Sequence, residues 1–378
     1  AARGPADVTS SQAIITSYSP YRPFTSIQES GLYIKELENS ELTYEKKHEL
    51  NIGADMGFLN NRINLAVDWY KRNNYDLIGI VNTQGAGGQI LKYANIASMK
   101  SHGIEFTLST KNIKTKDFNW NTDFIFSNAK NEVTDLKQNA NVMELISGNG
   151  FAKQGYPVRG LFSIPFVGLD KDGIPVIINE KGEATSTDIN FQERQNTGFL
   201  KYEGPTDPTI TGSLGNMFSY KGFRLNLFIT YSFGNVIRLN PVFKAYYSDL
   251  TAMTREFKNR WTLPGDEAKT NVPAILSKRM YDSNEDLKYA YNAYNYSTER
   301  IAKGDFIRLK EISLAYDFPK AWINPLKLTD LSLKVQATNL FLIYADDKLN
   351  GQDPEFFNAG GVASPVPRQF TITLRLGL

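Results

Sequence analysis

Apolar and polar residues alternate in nine segments of the chain, and this period of two predicts β-strands. In the first segment, Leu50 and Ile52 alternate with Asn51 and Gly53, and the later segments repeat the pattern. The segments start near Leu50, Ile63, Ile104, Phe118, Ile210, Phe223, Ile312, Leu331 and Phe370. Most of them reach the roughly 9–11 residues with which a tilted strand crosses a bilayer. The pattern therefore predicts an all-β fold whose strands each have one apolar face and one polar face.

The connections between these segments alternate in length. Short turns follow the first, third and fifth segments, and a link of moderate length, 319–329, follows the seventh. Long stretches fill the other gaps: 73–98, 128–208, 234–303 and 343–367. Short turns at one end and long loops at the other are typical of outer-membrane barrels, whereas strands of a soluble sandwich usually recur at roughly 8–12-residue spacing. The sequence therefore predicts a transmembrane antiparallel β-barrel.

Aromatic residues, which number 23 Phe, 20 Tyr and 4 Trp, concentrate near the ends of the predicted strands. Beside the short connections lie Phe58, Phe118, Trp120, Tyr220, Phe223, Tyr316, Phe318 and Trp322. At the opposite strand ends lie Tyr70, Phe233, Phe341 and Tyr344. This distribution predicts two aromatic girdles that flank an apolar band. The alternative is that aromatic side chains simply favour strands.

The odd number of strands indicates that the chain does not complete a barrel, because single-chain bacterial barrels have even strand numbers. The first and last strands would also run parallel if they were neighbours. We therefore expect these strands to belong to a larger barrel whose amino-terminal half is absent from the chain or supplied separately. Residues 1–44 are expected to form an amino-terminal segment with a loop and a partial strand, and residues 45–378 the barrel strands.

Composition excludes several other classes of protein. The chain has 42 basic and 40 acidic residues, so its net charge of +2 gives no reason to expect a nucleic-acid partner. No stretch approaches the ~20 apolar residues of a transmembrane helix. Cysteine is absent and His48 and His102 are the only imidazoles, which makes a transition-metal site improbable. Because no nucleophile motif is present either, we expect that the protein is not an enzyme and needs no cofactor.

Two long connections contain residues that suggest ligand binding. Tyrosines that offer a flat apolar face and a hydroxyl group to a sugar or a peptide are Tyr246, Tyr247, Tyr289, Tyr291 and Tyr294. The alternative for these tyrosines is ordinary packing within the loops. Carboxylates that crowd another connection, and could supply oxygen ligands for calcium, are Asp346, Asp347, Asp353 and Glu355. The alternative for the carboxylates is a solvated loop.

Six short motifs resemble segments of SusC/RagA-type TonB-dependent transporters, and they follow one another in the family's order. The motifs are ELTYEKKHELNIG (41–53), FLNNRI (58–63), SHGIE (101–105), RWTLPGD (260–266), GDFIRLK (304–310) and QATNLF (336–341). The resemblance runs from about residue 29 to the end. It implies the last strands of a ~22-stranded barrel that surrounds a plug domain, and neither the plug nor a TonB-binding segment is recognisable. Leu378 stands where such barrels usually end in an aromatic residue.

The resemblance also implies a location and a function. It places the protein in the bacterial outer membrane as part of an importer of oligosaccharides or peptides, with a SusD-like surface lipoprotein and the TonB complex as partners. The barrel remainder and membrane lipid would then contact the chain directly. The competing hypothesis is a secreted, soluble, β-rich glycan-binding protein or glycoside hydrolase. That hypothesis accounts for the aromatic residues but not for the alternation of short and long connections.

Overall fold

The structure is a computed structural model that describes residues 2–3, 14–18, 31–36, 39, 41–82, 91–242, 253–357 and 366–377. The strands are β1 Ala2–Arg3, β2 Ile14–Tyr18, β3 Gly31–Glu36, β4 Glu45–Phe58, β5 Ile63–Asn82, β6 Leu91–Lys114, β7 Phe118–Leu136, β8 Gly160–Ser163, β9 Phe166–Leu169, β10 Pro175–Ile178, β11 Ala184–Thr185, β12 Lys201–Pro205, β13 Ile210–Tyr220, β14 Phe223–Phe233, β15 Val236–Arg238, β16 Ile301–Lys303, β17 Phe306–Asp317, β18 Asp330–Ala345 and β19 Gln369–Gly377. The α-helices are α1 Val142–Ile146, α2 Lys278–Ser283, α3 Leu287–Asn295 and α4 Lys320–Ile323. Short 3-10 helices cover Arg255–Asn259, Asp266–Ala268, Thr298–Arg300, Asn324–Leu326, Asp347–Leu349 and Pro354–Phe356.

One large antiparallel sheet dominates the fold. Its strand order is β1-β4-β5-β6-β7-β13-β14-β17-β18-β19, so the strands of this sheet follow one another in chain order, and the strands missing from the series belong to small separate sheets. Each of the nine predicted segments lies in one of these strands, and the tenth strand is the two-residue β1, which pairs with β4. The predicted antiparallel β-sheet is confirmed, although the chain is mostly β rather than all-β because it also forms four short α-helices. In the part of the chain that the structure describes, β19 pairs only with β18, so the sheet is open.

The strand register gives the sheet one apolar face and one polar face. Val67 pairs with Ala54 and Phe106, and the positions next to it, such as Asp68, point to the other side because successive strand residues alternate. The same apolar face continues across β14 to β19 through Leu225, Leu314, Val335 and Ile372, which pair in that order. These apolar side chains remain uncovered: Leu314 is 47% exposed and Ile372 is 74% exposed. The polar face carries Asn, Ser, Thr, Asp, Glu and Arg in the alternate positions.

Short connections join the strands at one edge of the sheet, here called the short-turn rim. These connections are residues 59–62, 115–117, 221–222 and 318–329. A row of aromatic rings follows this rim on the apolar face. The ring centroids of Phe223 and Tyr316 are 4.4 Å apart, those of Tyr316 and Phe318 are 4.9 Å apart, and Trp322 follows at 6.4 Å from Phe318. These contacts agree with the girdle expected at this edge.

Two sequence expectations about the opposite edge were wrong. The connection predicted for residues 73–98 is shorter, because β5 continues to Asn82 and β6 begins at Leu91. Tyr70 therefore lies inside β5 rather than at a strand end. It is 8% exposed and packs across Gly103 of the polar face, so it does not belong to an aromatic girdle.

The long connections fold into a region of their own, here called the loop unit, which comprises the described residues of 137–209, 234–305 and 346–357. It contains α1 to α3 and the small sheets β9-β10-β11, β8-β12 and β15-β16. Its core unites residues far apart in sequence, as Val142, Ile164 and Ala293 pack in one cluster with none of them measurably exposed. The helices of the described residues are too short to cross a membrane, the longest having nine residues.

Candidate functional site

Arg238 fixes three segments of the loop unit to one another. Its Nη1 donates to the carbonyl oxygen of Ser297 at 2.8 Å, and its Nη2 donates to that of Phe162 at 2.6 Å. The Nη2 also lies 3.4 Å from the carbonyl oxygen of Ile146 at the end of α1. Burial lowers the pKa of the Arg238 guanidinium to about 9, because the charged form loses its hydration. Its hydrogen bonds all go to backbone carbonyl oxygens, and the nearby Glu203 carboxylate partly offsets the effect of burial on its pKa, so Arg238 is a structural tie within the loop unit.

Arg308 joins the loop unit to the large sheet. It extends from β17 on the polar face, is 4% exposed, and its Nη2 lies 2.6 and 2.7 Å from the two carboxylate oxygens of Asp353. Glu355 adds a second, more exposed carboxylate at 3.3 Å. Separating Asp353 from Arg308 would leave two buried charges without their partner. The ion pair therefore strongly favours the packing of residues 347–356 against β17.

A cavity of 630 Å³ lies where the loop unit meets the polar face of the sheet. Thr211, Thr230 and Ser232 of β13 and β14 form its floor. Charged side chains line its sides: Arg159, Asp207, Lys310 and Glu355. Arg159 and Asp207 form an ion pair at 2.7 Å, whereas no ion pair of Lys310 occurs among the described residues. Hydroxyl groups and charges of both signs, beside apolar side chains such as those of Ile237 and Phe306, suit a ligand that carries both polar and apolar groups.

The five tyrosines predicted to bind a ligand do not form one surface among the described residues. Tyr291 and Tyr294, both on α3, are each 1% exposed and pack in the loop unit's core, where burial raises the pKa of the Tyr294 hydroxyl. Tyr289 lies on the other side of α3 and is 40% exposed. Tyr246 and Tyr247 lie outside the described residues. The alternative of ordinary loop packing holds for Tyr291 and Tyr294, and ligand contact stays a prediction for Tyr289.

Three of the four carboxylates considered for calcium, those of Asp346, Asp353 and Glu355, already accept hydrogen bonds or pair with Arg308. Asp346 accepts backbone hydrogen bonds from Lys348 and Lys303, and Asp353 binds Arg308. Within the described ranges no group of three or more His, Cys, Asp or Glu side chains is arranged to hold a metal ion. A calcium site in this connection therefore finds no support in the geometry.

The cavity was not predicted from the sequence. Its lining comes from β13, β14, β17 and from three loop segments that are up to about 200 residues apart. The one available sequence signal was the polar alternation of β13 and β14, which identifies Thr211, Thr230 and Ser232 as facing away from the apolar side.

The chain is similar to several known proteins, and they are of one kind. No family model matches the chain. The TonB-dependent receptor P3 of Formosa agariphila is 25% identical over 90% of the chain, and the TonB-dependent receptor SusC of Bacteroides thetaiotaomicron is 26% identical over 90%. The chain spans 34% and 32% of the lengths of these two relatives. Among solved structures, the RagAB peptide transporter superposes with a TM-score of 0.72 at 24% identity, over 97% of this chain and 38% of the other.

The fold and these matches show that the chain is similar to TonB-dependent receptors, and the predicted location in the bacterial outer membrane is confirmed. Within that class, the similarity to SusC and the superposition on RagAB confirm the SusC/RagA-type resemblance found in the sequence motifs.

Proposed function

We propose that the chain forms the carboxy-terminal part of a SusC/RagA-type barrel that imports a nutrient, an oligosaccharide or a peptide, across the bacterial outer membrane in a TonB-dependent manner. A SusD-like surface lipoprotein and the TonB complex are its proposed partners. The relatives are named as receptors and transporters, in line with a protein that moves its ligand without covalent chemistry.

The observation that carries this proposal is the two-faced sheet. Val335 and Ile372, each apolar and 47% and 74% exposed, stand on the face where the chain has no other element to cover them in its described part. Their neighbours Lys334 and Thr373 pair on the opposite face. A sheet that is apolar on one side and polar on the other fits a wall between hydrocarbon and a water-filled lumen.

The competing function, a soluble secreted glycan-binding protein or hydrolase, requires that the apolar face be covered or absent. Large exposed side chains across β4, β17, β18 and β19 contradict that requirement. A soluble protein would stay folded and monomeric in plain buffer after detergent removal. The proposed barrel wall would aggregate or require lipid.

Uptake by intact cells tests the proposed activity. Cells with and without the protein would be given fluorescent maltooligosaccharides in one assay and labelled tryptic peptides in another. The proposal expects uptake of at least one probe class that disappears both when the protein is deleted and when the proton-motive force is collapsed. Uptake that survives either treatment would contradict it.

Tyr289 and the cavity are the proposed ligand contacts. Tyr289→Ala is expected to weaken uptake without altering folding, because the ring is exposed on the loop unit. Tyr291→Ala is the matched comparison on the same helix: it removes a fully buried ring, so it is expected to unfold the loop unit locally. Equal uptake by wild-type protein and Tyr289→Ala would remove this residue from the proposed site.

A further inference from the structure

The short-turn rim carries a surplus of positive charge that the chain as a whole lacks. Counting the four short connections, the three strand residues on each side of them and the last three described residues of β19, the rim has eight basic and three acidic side chains. The whole chain is nearly balanced, with 42 basic and 40 acidic residues. The surplus is therefore local to one edge of the sheet.

Most of the rim's cations have no carboxylate partner. Two ion pairs neutralise part of the charge, Arg224 with Asp317 at 2.9 Å and Lys320 with Asp330 at 3.3 Å. The remaining basic side chains are exposed and form no ion pair with any residue that the structure describes; they are Arg62, Lys114, Lys116, Lys221, Lys327 and Arg375. Against these six cations the rim has one acidic side chain outside an ion pair, that of Asp117.

The aromatic row sets the depth of these cations in the membrane. Aromatic rings on a lipid-facing barrel surface mark the level of the lipid headgroups. Lys221 stands directly beside that row, with its ammonium group 5.3 Å from the centroid of the Tyr220 ring. Trp322, which is 63% exposed, extends the row into the connection that also contains Lys327. The unpaired lysines of the turns themselves, Lys116, Lys221 and Lys327, therefore lie at the level of the lipid phosphates, whereas Lys114 and Arg375 stand at positions of the polar face.

We infer that the short-turn rim binds the headgroups of anionic phospholipids in the leaflet that it faces. Short turns of such barrels lie on the periplasmic side, so the leaflet concerned is the inner one. The lipid phosphate is the negatively charged partner that the unpaired lysines lack among the described residues. The aromatic row packs beside the glycerol and the upper part of the acyl chains. The inference rests on the proposed membrane-spanning function and adds a lipid partner to it.

The test uses the protein reconstituted into nanodiscs of phosphatidylcholine that contain a minor fraction of fluorescent phosphatidylglycerol. The rim variant combines Lys116→Gln, Lys221→Gln and Lys327→Gln. The matched control removes the same charge from exposed lysines of the loop unit, through Lys171→Gln, Lys258→Gln and Lys278→Gln. The readout is energy transfer from the protein's tryptophans to the labelled lipid, as a measure of local enrichment.

Wild-type protein and the loop-unit control are expected to enrich the anionic lipid to the same degree. The rim variant is expected to lose about a hundredfold in affinity, because each of its three missing cations would contribute roughly fivefold to partitioning at an anionic surface. Added salt should weaken the wild-type enrichment, which tests the inference even if the rim variant folds poorly.

Three results would overturn the inference. The first is unchanged enrichment in the rim variant, and the second is an equal loss in the loop-unit control, which would indicate net charge alone. The third is full displacement by inorganic phosphate at matched ionic strength, which would indicate a site for a free anion. If lipid enrichment fails while the wild-type protein stays embedded in the nanodisc, only this inference fails. Failure to embed would count against the proposed function instead.

Discussion

An arginine placed at Val67 should destabilise the folded protein strongly, because that side chain is proposed to face hydrocarbon. Val67 lies on the apolar face of β5 and pairs with Ala54 and Phe106. The neighbouring Ala66 lies on the polar face and pairs with Asp55. The two positions are adjacent in sequence and both are half-buried, so the same substitution at both compares the two faces directly.

The position of Val67 along the strand sets the expected magnitude. It lies five residues beyond Arg62, the last residue of the short turn that precedes β5. At a rise of about 3.3 Å per residue and a tilt of about 40°, this puts it roughly 12 Å from the rim, near the middle of an apolar band about 25 Å tall. An arginine at mid-depth on the lipid face costs about 2–4 kcal/mol.

Ala66→Arg is expected to change stability little. A hollow of 280 Å³ beside Ala66 gives the longer side chain room. Asp55 stands opposite it across the strand pair, and such a cross-strand pair of opposite charges contributes roughly 0.2–1 kcal/mol in favour of folding.

Urea unfolding of the protein in lipid vesicles, followed by tryptophan fluorescence, measures both free energies. We expect a loss of about 2–4 kcal/mol for Val67→Arg and less than about 1 kcal/mol in either direction for Ala66→Arg. Equal losses, or a larger loss at Ala66, would refute the assignment of the two faces.

Two further outcomes follow from close contacts. Gly212→Ala should destabilise the sheet by about 1–3 kcal/mol, because its new methyl group would overlap the carbonyl oxygen of Ile125, and urea unfolding should show it. Gly215→Ala, whose methyl group would meet no atom closer than 3.6 Å, is the control and should leave the midpoint in place. Asp353→Asn should destabilise the packing of residues 347–356 against the sheet by about 1–3 kcal/mol, because the buried Arg308 then keeps only the more exposed Glu355 carboxylate. Hydrogen exchange of that segment should quicken, and unchanged exchange would contradict the role given to this ion pair.

The strands of the large sheet could be predicted from the sequence because each has a solvent of different polarity on its two sides. That difference imposes a strict period of two on residues such as Leu331, Leu333 and Val335. The turns were equally visible, since the chain must reverse between two such runs. The extension of β5 to Asn82 was missed because Ile78 and Ile80 lie on the opposite alternation from Leu65 and Val67, past an irregularity at residues 74–78.

The loop unit could not be predicted in the same way, because it buries its side chains in a core built from short segments. Tyr291 and Tyr294 looked like a ligand surface, yet with Leu287 and Ala290 they share helical spacing and form the buried side of α3. This spacing can be read in the sequence and indicates a buried helix face, but the large number of tyrosines favoured the prediction of a ligand surface instead. The burial of Arg238 could not be predicted from the sequence, because its partners are backbone carbonyl groups of residues distant in sequence.

The central claim is that one face of the large sheet meets lipid, and a cysteine scan of β14 tests it most directly. The chain has no cysteine of its own, so single substitutions from Phe223 to Phe233 can each carry one fluorophore. In vesicles with brominated acyl chains, fluorophores at Leu225, Leu227 and Ile229 should be quenched, while those at the alternate positions should not. Quenching without a period of two, or confined to the alternate positions, would contradict the account.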